Sequence, residues 1–174
     1  TRYVRKHLRA NVEPGVTIFP DVLSRDNEQV DSADLYIAGF PCQPFSTGGK
    51  KRGRADARGT VFDGCVRYIQ RHRPKAYVLE NVPGLLTTNG GRDMDYIMTS
   101  LRDIGPKQYN IHHKVINTKD HGIPQNRPRW YCVGVRKDSY TEALRFKFPQ
   151  PIPCPHIDEF LDGVGQPQSP HPTE

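Results

Sequence analysis

The sequence is short of apolar residues. Only 35% of its 174 residues are hydrophobic and mean hydropathy is −0.71, so the core is modest or part of the chain stays unfolded. No run of about 18 apolar residues occurs, which excludes a helix that crosses a membrane. The opening residues carry Arg2, Arg5, Lys6, His7 and Arg9 with no apolar stretch behind them, unlike a secretory signal. Cysteine is scarce: Cys42, Cys65, Cys132 and Cys154 are widely spaced and form no CxxC pair. That argues against a zinc knuckle and a disulfide framework, and makes a reducing intracellular compartment the default. Acidic residues are outnumbered, 19 against 25 Lys and Arg, giving a net charge of +6. A basic balance favours polyanionic partners, because each cation can displace counterions from a phosphate backbone. The start at Thr1 rather than Met suggests a fragment or a processed piece.

What is present reads as alternating strands and helices. Residues 17–19 are β-prone and stop at Pro20. Residues 34–39 form a short apolar strand that breaks at Gly39-Phe40-Pro41. Val61, Phe62, Cys65, Val66 and Ile69 repeat at helical spacing over residues 60–72, with Pro74 just beyond. Residues 76–79 are a second apolar strand, closed by Glu80 and Asn81. Met94, Ile97, Met98, Leu101 and Ile104 mark another amphipathic helix ending near Gly105. Residues 109–117 and 129–136 are β-like, and the loop between them is too short for a helical crossover. The expectation is an α/β domain whose sheet is mainly parallel, with an antiparallel pair at one edge. Seven prolines fall between Pro149 and Pro172, so residues 149–174 read as a linker or a disordered tail, and residues 1–148 as the domain.

Four constellations carry chemistry. Cys42 follows the first strand and is flanked by polar and turn-forming residues. In open α/β sheets that edge is where ligands bind. A buried structural thiol is the commoner role for a lone cysteine. Glu80 follows the second strand; if the two strands are parallel neighbours, Cys42 and Glu80 share one edge, a carboxyl beside a nucleophilic sulfur. Otherwise Glu80 is a solvated loop residue. Gln125, Arg127 and Arg129 precede the last strand. Alternate arginines in extended chain project to one side and suit phosphate or a base carbonyl, although paired surface arginines are common. Residues 48–58 are glycine-rich and basic, either a clamp over a polyanion or a solvated loop. His112 and His113 alternate along a strand, so one at most faces the core and no third metal ligand is visible. Trp130, Tyr131, Cys65 and Cys132 read as packing residues.

Taken together, Pro41-Cys42-Gln43, Glu80-Asn81-Val82 and Gln125-x-Arg127-x-Arg129 resemble the motifs of the cytosine carbon-5 methyltransferase family, in that family's order. The resemblance runs over residues 21–137 and includes Gly49-Lys50 and residues 56–62. It implies a Rossmann-like S-adenosylmethionine-dependent methyltransferase fold, incomplete at the N-terminus, acting on a cytosine flipped out of DNA. By this resemblance Cys42 is the nucleophile that adds to carbon 6. Glu80 meets N3 and the exocyclic amine, Arg129 contacts O2, Arg127 supports the geometry and Asn81 braces the Cys42 loop. The Phe40 carbonyl reads the exocyclic amine, and Gln43, Ser46 and Gln125 fall on the substrate side. Asp21 contacts the adenine of the methyl donor, with Pro41 and Val61 lining its pocket. Asp21 follows Pro20 where the family usually has glycine. Residues 48–58, with Lys50, Lys51, Arg52 and Arg54, act as a lid over phosphates.

Some of the family's elements do not occur in the sequence: the Phe-x-Gly-x-Gly loop, the acidic residue for the ribose, a target-recognition domain and the late motifs. An enzyme at full length is therefore expected, with this portion binding the donor poorly by itself and baring a central sheet edge. Three other readings compete: a tRNA cytosine-5 methyltransferase of the same superfamily, a non-catalytic nucleic-acid-binding remnant, and a Rossmann-like domain with accidental motifs. DNA is the expected partner and RNA the alternative, with no membrane and no metal. The location would be nuclear in a eukaryote and cytoplasmic in a bacterium; oligomeric state is open.

Overall fold

The computed structural model describes residues 2–13, 15–41, 60–105, 108–139 and 145–161. Helix α1 spans Arg2–Asn11, strand β1 Leu35–Gly39, helix α2 Thr60–His72, strand β2 Ala76–Asn81, helix α3 Arg92–Arg102, strand β3 Tyr109–Asn117 and strand β4 Pro128–Arg136. The four strands form one sheet in the order β1-β2-β4-β3. β1 and β2 are parallel, and β4 runs antiparallel to both of its neighbours. The antiparallel pair therefore sits at one side of the sheet, with β3 outermost and β4 as the reversed strand.

Sequence patterning explains the layers. Phe62, Cys65, Val66 and Ile69 lie on one stripe of α2 and are all buried, as are Ile97, Met98 and Leu101 of α3. Both stripes press on the same sheet face, where they meet Tyr77, Leu79, Trp130 and Cys132. α2 closes with Arg71 and His72 in its last turn, favourable at the negative end of the helix dipole. Cross-chain bonds fix it: the Tyr68 hydroxyl donates to the Asp31 carbonyl at 2.9 Å and a His72 ring nitrogen meets the Asn27 carbonyl at 2.9 Å. α3 opens with Asp93 and Asp95, which suit a helix N-terminus.

Two differences from the sequence pattern matter. Residues 17–19 are extended but join no ladder among the described residues, since a β-prone stretch forms a strand only beside a partner. Conversely, β2 runs two residues further than its apolar pattern, through Glu80 and Asn81. Glu80 is in register with Gly39 on one side and Tyr131 on the other, and Asn81 with Trp130, so neighbouring backbones supply the rungs that apolarity does not announce.

The other sheet face carries Val78, Glu80, Arg129, Tyr131 and Val133. Residues 145–152 lie extended across part of it. Phe146, Phe148 and Pro149 close an apolar cavity of about 330 Å³ with Val78, Ile116, Tyr131 and Val133. The Ile152 N–H donates to the Asp120 carbonyl at 3.0 Å, where Ile152 forms a parallel bridge with His121. β1 leaves Leu35 and Ile37 exposed on this face.

Candidate active site

Parallel pairing of β1 with β2 brings their carboxyl ends to one edge. There Gly39, Phe40, Pro41, Glu80, Asn81, Val82, Arg127 and Arg129 line a polar cavity of about 310 Å³. It differs from the apolar cavity in chemistry rather than size: here a carboxyl and two guanidinium groups converge. Glu80 and Arg129 point to the same face from adjacent strands, and Arg129 Nε lies 2.9 Å from Glu80 Oε1. Their side chains are 30% and 20% exposed, a partly desolvated pair held more firmly than an open surface one. Arg129 Nη1 also donates to the Pro128 carbonyl at 2.8 Å, which fixes the guanidinium further.

Gly39 makes room for this carboxyl. A Cβ there would stand 3.1 Å from Glu80 Oε2, closer than ordinary van der Waals contact. Asn81 is 2% exposed on the opposite side of β2. Its Oδ1 accepts from the Val82 N–H at 2.8 Å, and its Nδ2 reaches the Phe40 carbonyl at 3.5 Å, a long bond. The chain leaving β1 is thus tied to the end of β2 two residues before position 42. Cys42, Gln43, Ser46 and the basic segment 48–58 lie outside the described residues.

The remaining thiols are of another kind. Cys65 and Cys132 are buried under the helices; burial raises both thiol pKa values, that of Cys132 to about 12. Thiols so protonated are poor nucleophiles. His112 lies near Phe146 and His113 near Trp130, on opposite sheet faces, and no cluster able to hold a metal ion occurs among the described residues.

Asp21, Val61 and Pro41 come from three separate segments. Asp21 Oδ1 accepts from the Leu23 N–H at 2.9 Å. The 21–23 turn packs on α2 at Gly64, whose Cβ would sit 3.4 Å from the Val22 carbonyl and from Leu23 Cδ2. This sets the turn beside the first turn of α2, where Val61 is half-buried; Phe62 of that turn contacts the Phe40 ring at 5.4 Å, next to Pro41.

Gln125 is exposed and its N–H donates to the Ile123 carbonyl at 2.7 Å; its side chain is absent from the cavity lining, whereas Arg127 is part of it. Val82, the last residue of the Glu80-Asn81-Val82 motif, also lines the cavity. Gly39 and Asn117 belong to none of the motifs; a glycine opposite a charged residue in a parallel ladder, and an Asn ending a strand before a turn, are the signals that mark them.

Comparison with known proteins agrees with this geometry. A family profile described as C-5 cytosine-specific DNA methylase matches residues 2–170. Type II methyltransferase M.NgoBI of Neisseria gonorrhoeae is 38% identical over 151 residues, spanning 87% of this chain and 44% of that protein. Type II methyltransferase M.HaeII of Haemophilus aegyptius is 41% identical over 134 residues, 77% of this chain and 40% of that protein. The chain thus spans less than half the length of these curated relatives. Among solved structures, Entamoeba histolytica methyltransferase EhMeth superposes with TM-score 0.62 at 19% identity, over 95% of this chain and 49% of that one. A Spodoptera frugiperda DNMT2 mutant gives TM-score 0.57 at 19% identity, over 95% of this chain and 50% of that one. These two establish the fold, a Rossmann-like α/β methyltransferase sheet.

Proposed function

Because the chain belongs to the C-5 cytosine-specific DNA methylase family, we propose that the whole protein methylates carbon 5 of a cytosine flipped out of duplex DNA, with Cys42 as nucleophile. The observation that carries this reading is the Glu80–Arg129 pair in a cavity at the ends of β1 and β2, beside the chain that leads into Cys42.

The chemistry requires such an arrangement. Cytosine carbon 5 is a weak nucleophile. Addition of the Cys42 thiolate to carbon 6 forms a carbon–sulfur bond and pushes an electron pair toward N3. The Glu80 carboxyl delivers a proton there and offsets the charge. Arg129 is placed to contact O2 and stabilise the same charge. The resulting enamine, with its double bond now between carbons 4 and 5, is nucleophilic at carbon 5. After methylation a base, water in this scheme, removes the carbon-5 proton. The electron pair expels Cys42, the N3 proton returns to the Glu80 carboxylate, and the ring is restored. The Phe40 carbonyl has two lone pairs, so it can accept from the cytosine amine while Asn81 holds it. Thymine, with a carbonyl at that position, is rejected.

S-adenosylmethionine supplies the electrophilic methyl group when bound. Asp21 offers a carboxylate acceptor for the adenine amine, and Val61 and Pro41 offer apolar contact. That mix of donors and surfaces fits the adenine end of the molecule. The basic segment 48–58 supplies cations for the DNA backbone.

The test is methyl transfer from labelled donor by the full-length protein to duplex DNA and to tRNA, alongside trapping on duplex DNA carrying 5-fluorocytosine. Label in DNA and a covalent adduct lost in Cys42→Ser are expected. Label confined to tRNA would move the reading to RNA; absence of both label and adduct would reduce the protein to nucleic-acid binding.

A further inference from the structure

Arg127 ends the loop that feeds β4, and Arg129 lies just inside that strand. β3 and β4 pair down to a last rung, Asn117 opposite Pro128. In the alternation of an antiparallel ladder this pair carries no backbone bonds: the Lys137 N–H donates to the Gln108 carbonyl at 2.8 Å, and bonded pairs recur at every second residue from there, so the next bonded position past Asn117 would join Thr118 to Arg127. There a side chain takes the donor instead. Asn117 Oδ1 accepts from the Arg127 N–H at 2.9 Å and from the Lys119 N–H at 3.4 Å, while Asn117 Nδ2 donates to Asn126 Oδ1 at 2.8 Å. One amide therefore grips both feet of the 118–127 loop. Inside it, the Thr118 hydroxyl donates to the Gln125 carbonyl and the Ile123 N–H donates to the Thr118 carbonyl at 3.3 Å. Lys119 and Asp120 belong to a single turn capped by the same Asn117.

We infer that Asn117 is a positioning residue for the methyl-transfer reaction: its amide takes the Arg127 N–H where the ladder would otherwise offer the Thr118 carbonyl, and so fixes the backbone of Arg127, and through it the approach of Arg127 and Arg129 to the flipped base. The inference rests on the proposed function of this cavity and adds to it a residue that lines no part of the cavity itself. Geometry explains why the amide should matter for rate more than for stability. Its bonds are solvent-exposed, so water can replace them when it is lost, and the net contribution of such a bond to folding is modest. A displacement of the arginine backbone by about 1 Å, in contrast, is enough to cost about 100-fold in turnover.

Two substitutions separate the acceptor from the donor. Asn117→Ala removes both; Asn117→Asp keeps the oxygen that accepts from Arg127 and Lys119, and Asn126 can turn its amide to donate to the second oxygen. In the full-length protein assayed on duplex DNA, Asn117→Ala should lower kcat by about 100-fold with KM for S-adenosylmethionine unchanged and the melting temperature nearly so. Hydrogen exchange in residues 118–127 should quicken, and Asn117→Asp should recover most of the rate and the protection. Unchanged kcat in Asn117→Ala, an Asp variant as damaged as the Ala variant, or a rate loss matched by general unfolding would each overturn the inference. A parent protein unable to methylate DNA would instead remove the functional reading, and this inference with it.

Discussion

Along β2, alternate residues live in two environments. Tyr77, Leu79 and Asn81 are at most 2% exposed beneath α2 and α3, while Ala76, Val78 and Glu80 face the other way and are only half-buried. The same division runs through β4, where Trp130 and Cys132 are sealed under the helices and Arg129 and Tyr131 are not. One face has a continuous apolar neighbour at every position. The other changes along its length, from the apolar cavity around Val78 and Val133 to the polar one around Glu80 and Arg129. A two-residue period lets one strand serve both purposes without compromise, because adjacent side chains never share a face. The helix-covered face should therefore govern stability and the opposite face, at its carboxyl end, reactivity.

Substitutions can break that division of labour. Glu80→Gln keeps size and burial and removes the proton donor. In the full-length protein its kcat should fall by about 1000-fold, with the urea midpoint of unfolding little changed. An equal loss of stability would mean that Glu80 serves the fold. One residue away, Leu79→Ala should do the reverse, costing about 3 kcal/mol of stability through the cavity left under the helices; calorimetry or urea titration measures it. Gly134 sharpens the contrast on β4. A Cβ there would overlap the Tyr77 ring, an atom of buried, packed core, so Gly134→Ala should destabilise by about 2 kcal/mol through overpacking. A neutral result would show that Tyr77 has room to move.

The smallest effect is a dependence on alkaline pH. Burial raises the Cys132 thiol from 9.0 to about 12 and the Tyr109 hydroxyl from 10.0 to about 12. The unfolded chain releases these protons first as pH rises, so the folded state holds more protons across that interval. The stability contribution of the neutral groups is complete below about pH 9 and declines steadily as pH climbs toward 12. Urea midpoints should be flat between about pH 7 and 8.5 as far as these groups are concerned and should fall by about pH 10.5, less steeply in Cys132→Ala. Alkylation provides a companion check: exposed Cys154 reacts in the native protein, while Cys65 and Cys132 react only after denaturation.

Much of this was readable in the order of residues. Helical spacing placed α2 at Thr60–His72 and the β-like pattern placed β3 at Tyr109–Asn117, because long periodic stretches leave few alternatives. The pairing of Glu80 with the end of the first strand followed from two apolar runs each closed by a chemically distinctive residue. Less was readable where identity carries no period. Nothing in Gly39 by itself reveals that its missing Cβ accommodates a carboxyl from the next strand. Asn117 looks like any turn-forming Asn until its side chain proves to hold the Arg127 N–H.

Sequence alone determined the placing of α2, α3, β3 and the apolar parts of β1 and β2, and which residue types are available for chemistry, since both depend on local pattern and covalent identity. Tertiary structure decided that Glu80 and Arg129 meet at 2.9 Å, that β4 enters between β2 and β3, and that Asn117 ties down the arginine loop. Each of these joins residues distant along the chain or across a ladder, and such contacts exist only once strand order and register have been chosen by burial of one face of the sheet.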